Sequence, residues 1–511
     1  MSALTGDANE LSYTLRRSLT WSALSTITLR LGTFAVGVVV ARLLAPDEFG
    51  IYAIALTVQT ILITLADLGL SADLIRCGDP ERRAPTVAAL GLASGAGLTA
   101  AMAVSATFVA RSFGAPDAAP VIALLSLTLL LSGAGTVPYA MLIRRFEQKK
   151  LFALSLVDFT VSTAITIALL AAGLGVISLA IARVATQALV LVLQFVLARV
   201  RPRVHVNREL IKPVLAFGLP VAIANLVSWA VLSVDNIVVS RMLGPLALGY
   251  YALAFNVSSW PMTAIGQVIR SVALPAFSRL RSLRRDLSLV PALSITWALA
   301  LPAGAILAVL SRPLVEVVYG NAWLRAASVL PALALFGALR VVFDLIASFL
   351  YSRGASRTVL WIQLTWFGLL IPSIVLGAWR FGLVGAAWAH VLISFAVILP
   401  LYLWAARRAG ADLRNLARLV WPPVLVSAVA AALALLVADV VASPLLAFLL
   451  GGVTALVVYF GLLRGWLRAR ISDVKQAADV RVVAEDETTA RDRAADVGTE
   501  AQLPSAIGRE P

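Results

Sequence analysis

Residues 39–58 read VVARLLAPDEFGIYAIALTV and residues 238–257 read VVSRMLGPLALGYYALAFNV; they align without a gap and are identical at ten of twenty positions. The shared frame is Arg-x-Leu-x-Pro-x-x-x-Gly-x-Tyr-Ala, from Arg42 to Ala53 and again from Arg241 to Ala252. Most of the frame is loop, so chance likeness between apolar helices does not account for it. Around each copy the apolar residues fall in blocks of about twenty or more, roughly the span of a bilayer core. Alternating strand patterns are absent, and helices must then be the spanning elements. The expected fold is all-α, polytopic and internally repeated.

Composition agrees. The chain is 60% hydrophobic and 14% charged, with a mean hydropathy of +0.92 over 511 residues. A soluble domain of that size needs far more polar surface. The apolar blocks predict about fourteen spans, near 20–43, 50–70, 86–110, 120–142, 151–172, 174–198, 214–241, 249–274, 289–311, 326–351, 358–378, 382–405, 419–438 and 443–463. The net charge of +15 does not point to nucleic acid, because the basic residues sit in short loops between apolar blocks. Alternate loops carry them: Arg76, Arg82 and Arg83, Arg144 to Lys150, Arg199 to Lys212, Arg279 to Arg285, Arg353 and Arg357, Arg407 to Arg418, and Arg464 to Arg470. The opposite loops hold little beyond Arg111, Arg312 and Arg380. By the positive-inside rule both termini are cytoplasmic and the chain is a multi-pass protein of the bacterial inner membrane. Arg16 and Arg17 lead straight into a full-length span, without a cleavable signal.

The repeat organises the chain. A Gly-rich turn opens the last span of each unit, at Gly173/Gly175 and Gly382/Gly385. Each unit holds an even number of helices, so the two share one orientation, related by a pseudo-two-fold axis along the membrane normal with a site between them. The expected organisation is a cytoplasmic segment (1–19), an N-terminal six-helix lobe (20–200), a C-terminal six-helix lobe (201–408), two additional transmembrane helices (409–465) and a cytoplasmic tail (466–511). From residue 471 onward the chain has nine acidic and five basic residues and no periodicity, which reads as disorder.

The stretch from Arg42 to Tyr52 resembles the first-helix signature of the bacterial oligosaccharide flippase (polysaccharide transporter) family. That family belongs to the multidrug/oligosaccharidyl-lipid/polysaccharide exporter superfamily. Ala66-Asp67-Leu68-Gly69-Leu70, Asp235 to Tyr251, and Leu274-Pro275-Ala276-Phe277-Ser278-Arg279 fit as well. The resemblance covers about residues 15–465 and leaves out the acidic tail. It implies two six-helix lobes, two extra helices, and flipping of an undecaprenyl-pyrophosphate-linked oligosaccharide to the outer leaflet for cell-surface polysaccharide synthesis.

Charges inside spans cost about 2.5–3.5 kcal/mol at a helix centre on insertion scales, so those that remain need a reason. Arg30 lies near the middle of the first span; it suits contact with an anionic pyrophosphate, or an interhelical ion pair with Asp67 or Asp235. Asp235 and Asn236 lie in the outer part of the seventh span; Asp235 is compatible with a coupling cation and equally with a neighbouring Arg. Arg270 lies in the eighth span, within snorkelling reach of the cytoplasmic end. Asp67, Asp235, Arg30 and Arg270 fall on Gly266, Val36, Trp229 and Ser71 in the other repeat, so the membrane charges are not duplicated although the loop frame is. These four, with Asn236, are the candidate substrate-binding residues. Arg340 with Asp344, and Arg183 with Asp158, read as structural pairs, and His390 as a hydrogen-bonded packing histidine. Gly91 and Gly95 form a GxxxG for close packing. Trp260, Trp379, Trp421 and Trp466 read as exposed interfacial anchors.

The lone Cys77, read as lying in a polar cytoplasmic loop, excludes an internal disulfide, and the two histidines lack ligand spacing. No catalytic residue, metal site or cofactor is expected, and no GxxxxGK[ST] motif for ATP occurs. The expected partners are the lipid-linked oligosaccharide, membrane lipids, Na+ or H+ as coupling ion, and glycosyltransferases or a polymerase of the same pathway. The alternatives are a drug/cation antiporter of the superfamily, a membrane-embedded glycan polymerase or ligase, and an assembly scaffold.

Overall fold

The computed structural model describes residues 32–33, 35–201, 203–279 and 289–470, without the side chains at 220–221, 224, 227–228, 230–232 and 267–279. Its elements are helices. The first, α1, is the 35–43 stretch; α2 is Pro46–Asp67, α3 Leu70–Arg76, α4 Pro80–Ser112, α5 Ala119–Arg144, α6 Gln148–Ala171 and α7 Ile177–Ala198. Arg208–Arg279 is one run broken at Gly244 (φ 83°, ψ 174°) into α8 and α9. After α10 (Leu289–Val309), α11 (Ser311–Tyr319) and α12 (Leu330–Ser352), the run Ser356–Ile393 breaks at Gly382 (φ 60°, ψ −143°) into α13 and α14. Through a π-helical turn, Ser394–Ile398, α14 continues into Leu399–Arg408. Helices α15 (Leu416–Val440) and α16 (Pro444–Arg470) complete the described chain.

Among the described residues eleven helices are long and apolar enough to cross a membrane. One of them, Ser356–Arg408, has 53 residues. As a single rod it would extend about 80 Å, far more than a ~30 Å core, and Gly382 supplies the left-handed conformation at which it turns. Most of the first expected span, Arg30 included, and the tail from 471 lie outside the described residues.

The chain forms two compact units. The first holds the described residues up to Val257 with Arg312–Leu333 and Phe367–Ile393; the second holds Ser258–Ser311, Ala334–Trp366 and the described chain from Ser394.

In the first unit the two frame copies pack on each other reciprocally. A Cβ at Gly50 would lie 1.8 Å from the Pro245 carbonyl oxygen, and one at Gly249 would lie 1.8 Å from that of Pro46. Only glycine permits this approach, and such reciprocity is what a local two-fold relation generates. Around it, Arg42 donates from Nε to the Val318 carbonyl at 2.8 Å and from a second guanidinium nitrogen to Val317, capping the C-terminal end of α11. Trp323 follows α11; it is 1% exposed, donates from Nε1 to the Ala41 carbonyl at 2.6 Å and sets its ring edge-on to Phe49 and Tyr250. At the other copy, Ser240, the repeat counterpart of Ala41, donates to the Phe113 carbonyl at 2.7 Å.

The basic loop between α5 and α6 closes helix ends. Arg144 donates to the carbonyls of Leu74, Ile75 and Cys77, while Arg145 and Lys150 donate to those of Ala198 and Leu197. Three cations thus satisfy the orphan carbonyls of α3 and α7. Cys77 corrects its sequence reading: α3 folds back so that the thiol is buried among Leu74, Val87 and Val137 instead of lying open in a loop. Burial pushes its pKa up. The GxxxG expectation holds, since Cβ positions at Gly91 and Gly95 would lie 2.7 Å from the carbonyls of Gly133 and Leu129.

In the second unit Phe343 lies edge-on to Trp366 and stacks on Tyr402, and Tyr459 ties α16 to α10 by donating to the Ala298 carbonyl at 2.7 Å. Trp379 and Trp421 are exposed as anchors should be. Trp260 and Trp466 are half-buried instead, Trp466 because it packs on the cluster of Ala298, Tyr459 and Leu463.

Candidate functional site

Helices α2, α3, α5, α6 and α7 surround a cavity of about 840 Å³ within the first unit. Its lining starts at Ile143, Gln148, Leu151 and Gln194, where α5, α6 and α7 meet beside the basic loop, and extends to Leu131, Asp158 and Arg183. Those residues lie ten to twelve positions further along their helices, which is about 15–18 Å at 1.5 Å per residue. At that depth Arg183 Nη1 and Asp158 Oδ2 are 3.1 Å apart, with side chains 37% and 35% exposed, and both line the cavity. Asp67 lines the same cavity. The turn at Leu68 and Gly69, both in left-handed conformation, brings α3 under it, so that Ser71 donates from Oγ at 2.8 Å and from its backbone N–H at 3.4 Å. Gln187 Oε1 is enclosed and has no donor among the described residues.

A second polar group lies on α8, α9 and α14, again within the first unit. Asp235, 4% exposed, accepts from the Tyr251 hydroxyl at 3.0 Å. That hydroxyl lies 2.9 Å from His390 Nε2, which is itself 3.7 Å from Asp235 Oδ2. The phenol has one proton; with it donated to the carboxylate, the contact with His390 requires a proton on Nε2. Asn236 donates its backbone N–H to Asp235 Oδ1 at 2.9 Å, and its side chain donates to Thr57 Oγ1 on α2 at 3.2 Å. The group thus links a carboxylate, a phenol and an imidazole by direct polar contacts, all three buried.

Of the residues singled out from sequence, the structure joins Asp235 and Asn236 in this second polar group and puts Asp67 in the cavity, so the two aspartates do not form one cluster. Arg30 lies outside the described residues; Arg270 is placed in α9 by its backbone, with its side chain outside the description. Arg183 and Asp158 pair as expected. Arg340 and Asp344 both line a 60 Å³ cavity with Ser259 and Thr263 in the second unit. His390 is hydrogen-bonded, as read, but its partners stand at least 139 positions away and gave no sequence signal. Gln187, Gln194 and Trp323 were missed as well; a lone amide or indole carries no periodic or spacing signature. Among the described residues no three His, Cys, Asp or Glu side chains group to hold a metal ion.

The fold defines a class: a multi-pass, all-helical membrane protein built like solved transporters. It is similar to the lipid II flippase MurJ in an inward closed conformation, with a TM-score of 0.73 and 16% identity over 88% of this chain and 99% of that one. It is also similar to an inward-facing multidrug resistance MATE family transporter of the MOP superfamily, with a TM-score of 0.60 and 18% identity over 76% and 98% of the two chains. Residues 39–328 match the model of the polysaccharide biosynthesis protein family, and the chain belongs to that family. Among curated relatives it is 28% identical to the succinoglycan biosynthesis transport protein ExoT of Rhizobium meliloti (strain 1021), over 78% of this chain and 81% of that protein. It is 26% identical to the lipopolysaccharide biosynthesis protein WzxC of Escherichia coli (strain K12), over 79% and 83%.

Proposed function

We propose that this chain is a flippase that carries a polyprenyl-pyrophosphate-linked oligosaccharide from the inner to the outer leaflet of the bacterial inner membrane, for cell-surface polysaccharide synthesis. The observation that carries this reading is the polar cavity, about 840 Å³, inside an apolar helical bundle of a polysaccharide biosynthesis family member. A sugar chain sheds its hydrogen bonds to water on entering hydrocarbon, and a protein that moves it must offer a polar path. The transport role in the name of ExoT, and the flippase role in that of MurJ, support the same reading.

In this scheme the lobes 20–200 and 201–408 rock in alternating access while the lipid tail stays in the bilayer, and both termini remain cytoplasmic. Arg30 and Arg270 neutralise the pyrophosphate, for which a guanidinium fork is suited. Asp67 or Asp235, the latter with the amide of Asn236 beside it, is the acidic position offered to a coupling cation, Na+ or H+. Membrane potential contributes too: moving two negative charges outward gains about 4.6 kcal/mol per 100 mV. No covalent bond is made or broken, so the chain works as a transporter and not as an enzyme.

Depletion of the protein followed by mass spectrometry of lipid-linked glycans tests this. A completed repeat unit should accumulate on its lipid at the cytoplasmic face while surface polysaccharide falls. Accumulation at the outer face would indicate a polymerase or ligase, and an unchanged lipid-linked pool would overturn the reading.

A further inference from the structure

We infer that the cavity bounded by α5, α6 and α7 is the chamber that receives the sugar portion of the substrate, with Arg183, Asp158, Gln187 and Gln194 as its hydrogen-bonding groups. This rests on the flippase reading and adds where, and by which groups, the glycan is held.

The volume, about 840 Å³, is in the range of sites that enclose a small ligand, ~300–1,000 Å³. Its chemistry selects the ligand. Sugar hydroxyls both donate and accept, so a sugar site must offer both functions side by side. Gln187 and Gln194 present amides that do both, Asp158 accepts, and Arg183 donates. Arg183 engages Asp158 through Nη1 alone, leaving Nε and Nη2 without a protein acceptor among the described residues. Gln187 Oε1 has no donor among the described residues, so this amide keeps acceptor capacity that a turn of the side chain would offer to the cavity. Tyr139, 44% exposed, adds a ring face on the same lining.

Charge argues against the pyrophosphate here. The cavity's guanidinium is already neutralised by Asp158, and Asp67 adds a further carboxyl group; a dianion needs unpaired cations. The lining therefore fits the uncharged, hydroxyl-rich part of the lipid-linked glycan, entering past Gln148 and Gln194 and reaching the ion pair about 15 Å further in.

Site-directed thiol protection on the full-length protein in membrane vesicles tests this. In a Cys77→Ser background, Ser155→Cys places one thiol on the lining. Three probes are compared: the lipid-linked glycan extracted from depleted cells, the same glycan released from its lipid by mild acid, and polyprenyl pyrophosphate without sugar. At about ten times Kd, both glycan-bearing probes should slow thiol labelling about tenfold, and the sugar-free lipid should not. Gln187→Leu with Gln194→Leu should abolish protection by the released glycan while the protein stays at normal abundance in the membrane. Equal protection by the sugar-free lipid, or protection by sodium ions alone, would assign the cavity to the pyrophosphate or to a cation and overturn the inference. Absence of protection from a glycan that does accumulate on depletion would overturn it and leave the flippase reading standing. If depletion accumulates no lipid-linked glycan, the flippase reading falls and takes this inference with it.

Discussion

Tyr52 and Tyr251 occupy the same place in the two copies of the duplicated frame, yet their surroundings differ in kind. Tyr52 packs against the apolar cluster of Val40, Leu44 and Leu179, with the charge of Arg183 within electrostatic reach. Tyr251 places its hydroxyl between Asp235 and His390. By the repeat, Asp235 stands where Val36 stands. The glycine contacts, Gly50 on Pro245 and Gly249 on Pro46, are by contrast alike in both copies. Duplication therefore marks what closes the two copies on each other, and departure from it marks where separate chemistry was added. The rule has a limit at Asp73 and Arg83, which fall opposite Val272 and Ser282 and so are also unduplicated. They form a 2.9 Å ion pair beside the buried cluster of Cys77, and their role is structural.

The largest expected effect sharpens that limit. Arg83→Ala leaves the carboxylate of Asp73, 1% exposed, without its cation. It should cost about 3–4 kcal/mol, read as a loss of thermal stability in detergent, and the double variant with Asp73→Asn should recover most of it. Next come Gly50→Ala and Gly249→Ala, each of which drives a methyl into a backbone oxygen with no flexible neighbour to yield. Each should cost about 2–3 kcal/mol, and a large difference between them would break the reciprocity. Tyr251→Phe removes the bridging hydroxyl and should cost about 1–2 kcal/mol, whereas Tyr52→Phe should stay within about 0.5 kcal/mol. Equal effects at the two tyrosines would dissolve the contrast.

The smallest effect concerns Cys77. Because burial raises its pKa, less of it is thiolate near neutrality than in an ordinary cysteine. Maleimide labelling should be slow at pH 7 and climb as pH rises past the ordinary thiol range. It should also require permeabilised cells; rapid labelling of intact spheroplasts would reverse the orientation.

Much of the fold was legible because a bilayer demands apolar blocks of fixed length and because the Arg-to-Ala frame occurs twice, although the structure places most of that frame in helix and not in loop. The Gly382 turn and the Arg183–Asp158 pair could be read from neighbouring spans. The candidate site was less legible. Asp235 was visible as a costly membrane charge, but nothing in the chain near it announces Tyr251 or His390 as partners. Gln187 is informative only through the donor that its enclosed oxygen lacks, a property of surroundings and not of sequence. Trp323 looked like a loop residue, and only the packing of Phe49 and Tyr250 around it shows it as the plug at the junction of the two copies. Cys77 misled because its neighbours in sequence are charged while its neighbours in space are not.

The central claim, that unduplicated polar groups perform transport within a duplicated scaffold, can be tested at Asp235 directly. Asp→Asn keeps the acceptor for Tyr251 and removes only the charge. Cells lacking the chain would be complemented with Asp235→Asn or Tyr52→Phe, each matched to wild-type abundance. The share of lipid-linked glycan reaching the outer leaflet is then measured. The account predicts about a tenfold or greater loss for Asp235→Asn and wild-type transfer for Tyr52→Phe. Wild-type transfer by Asp235→Asn would contradict it.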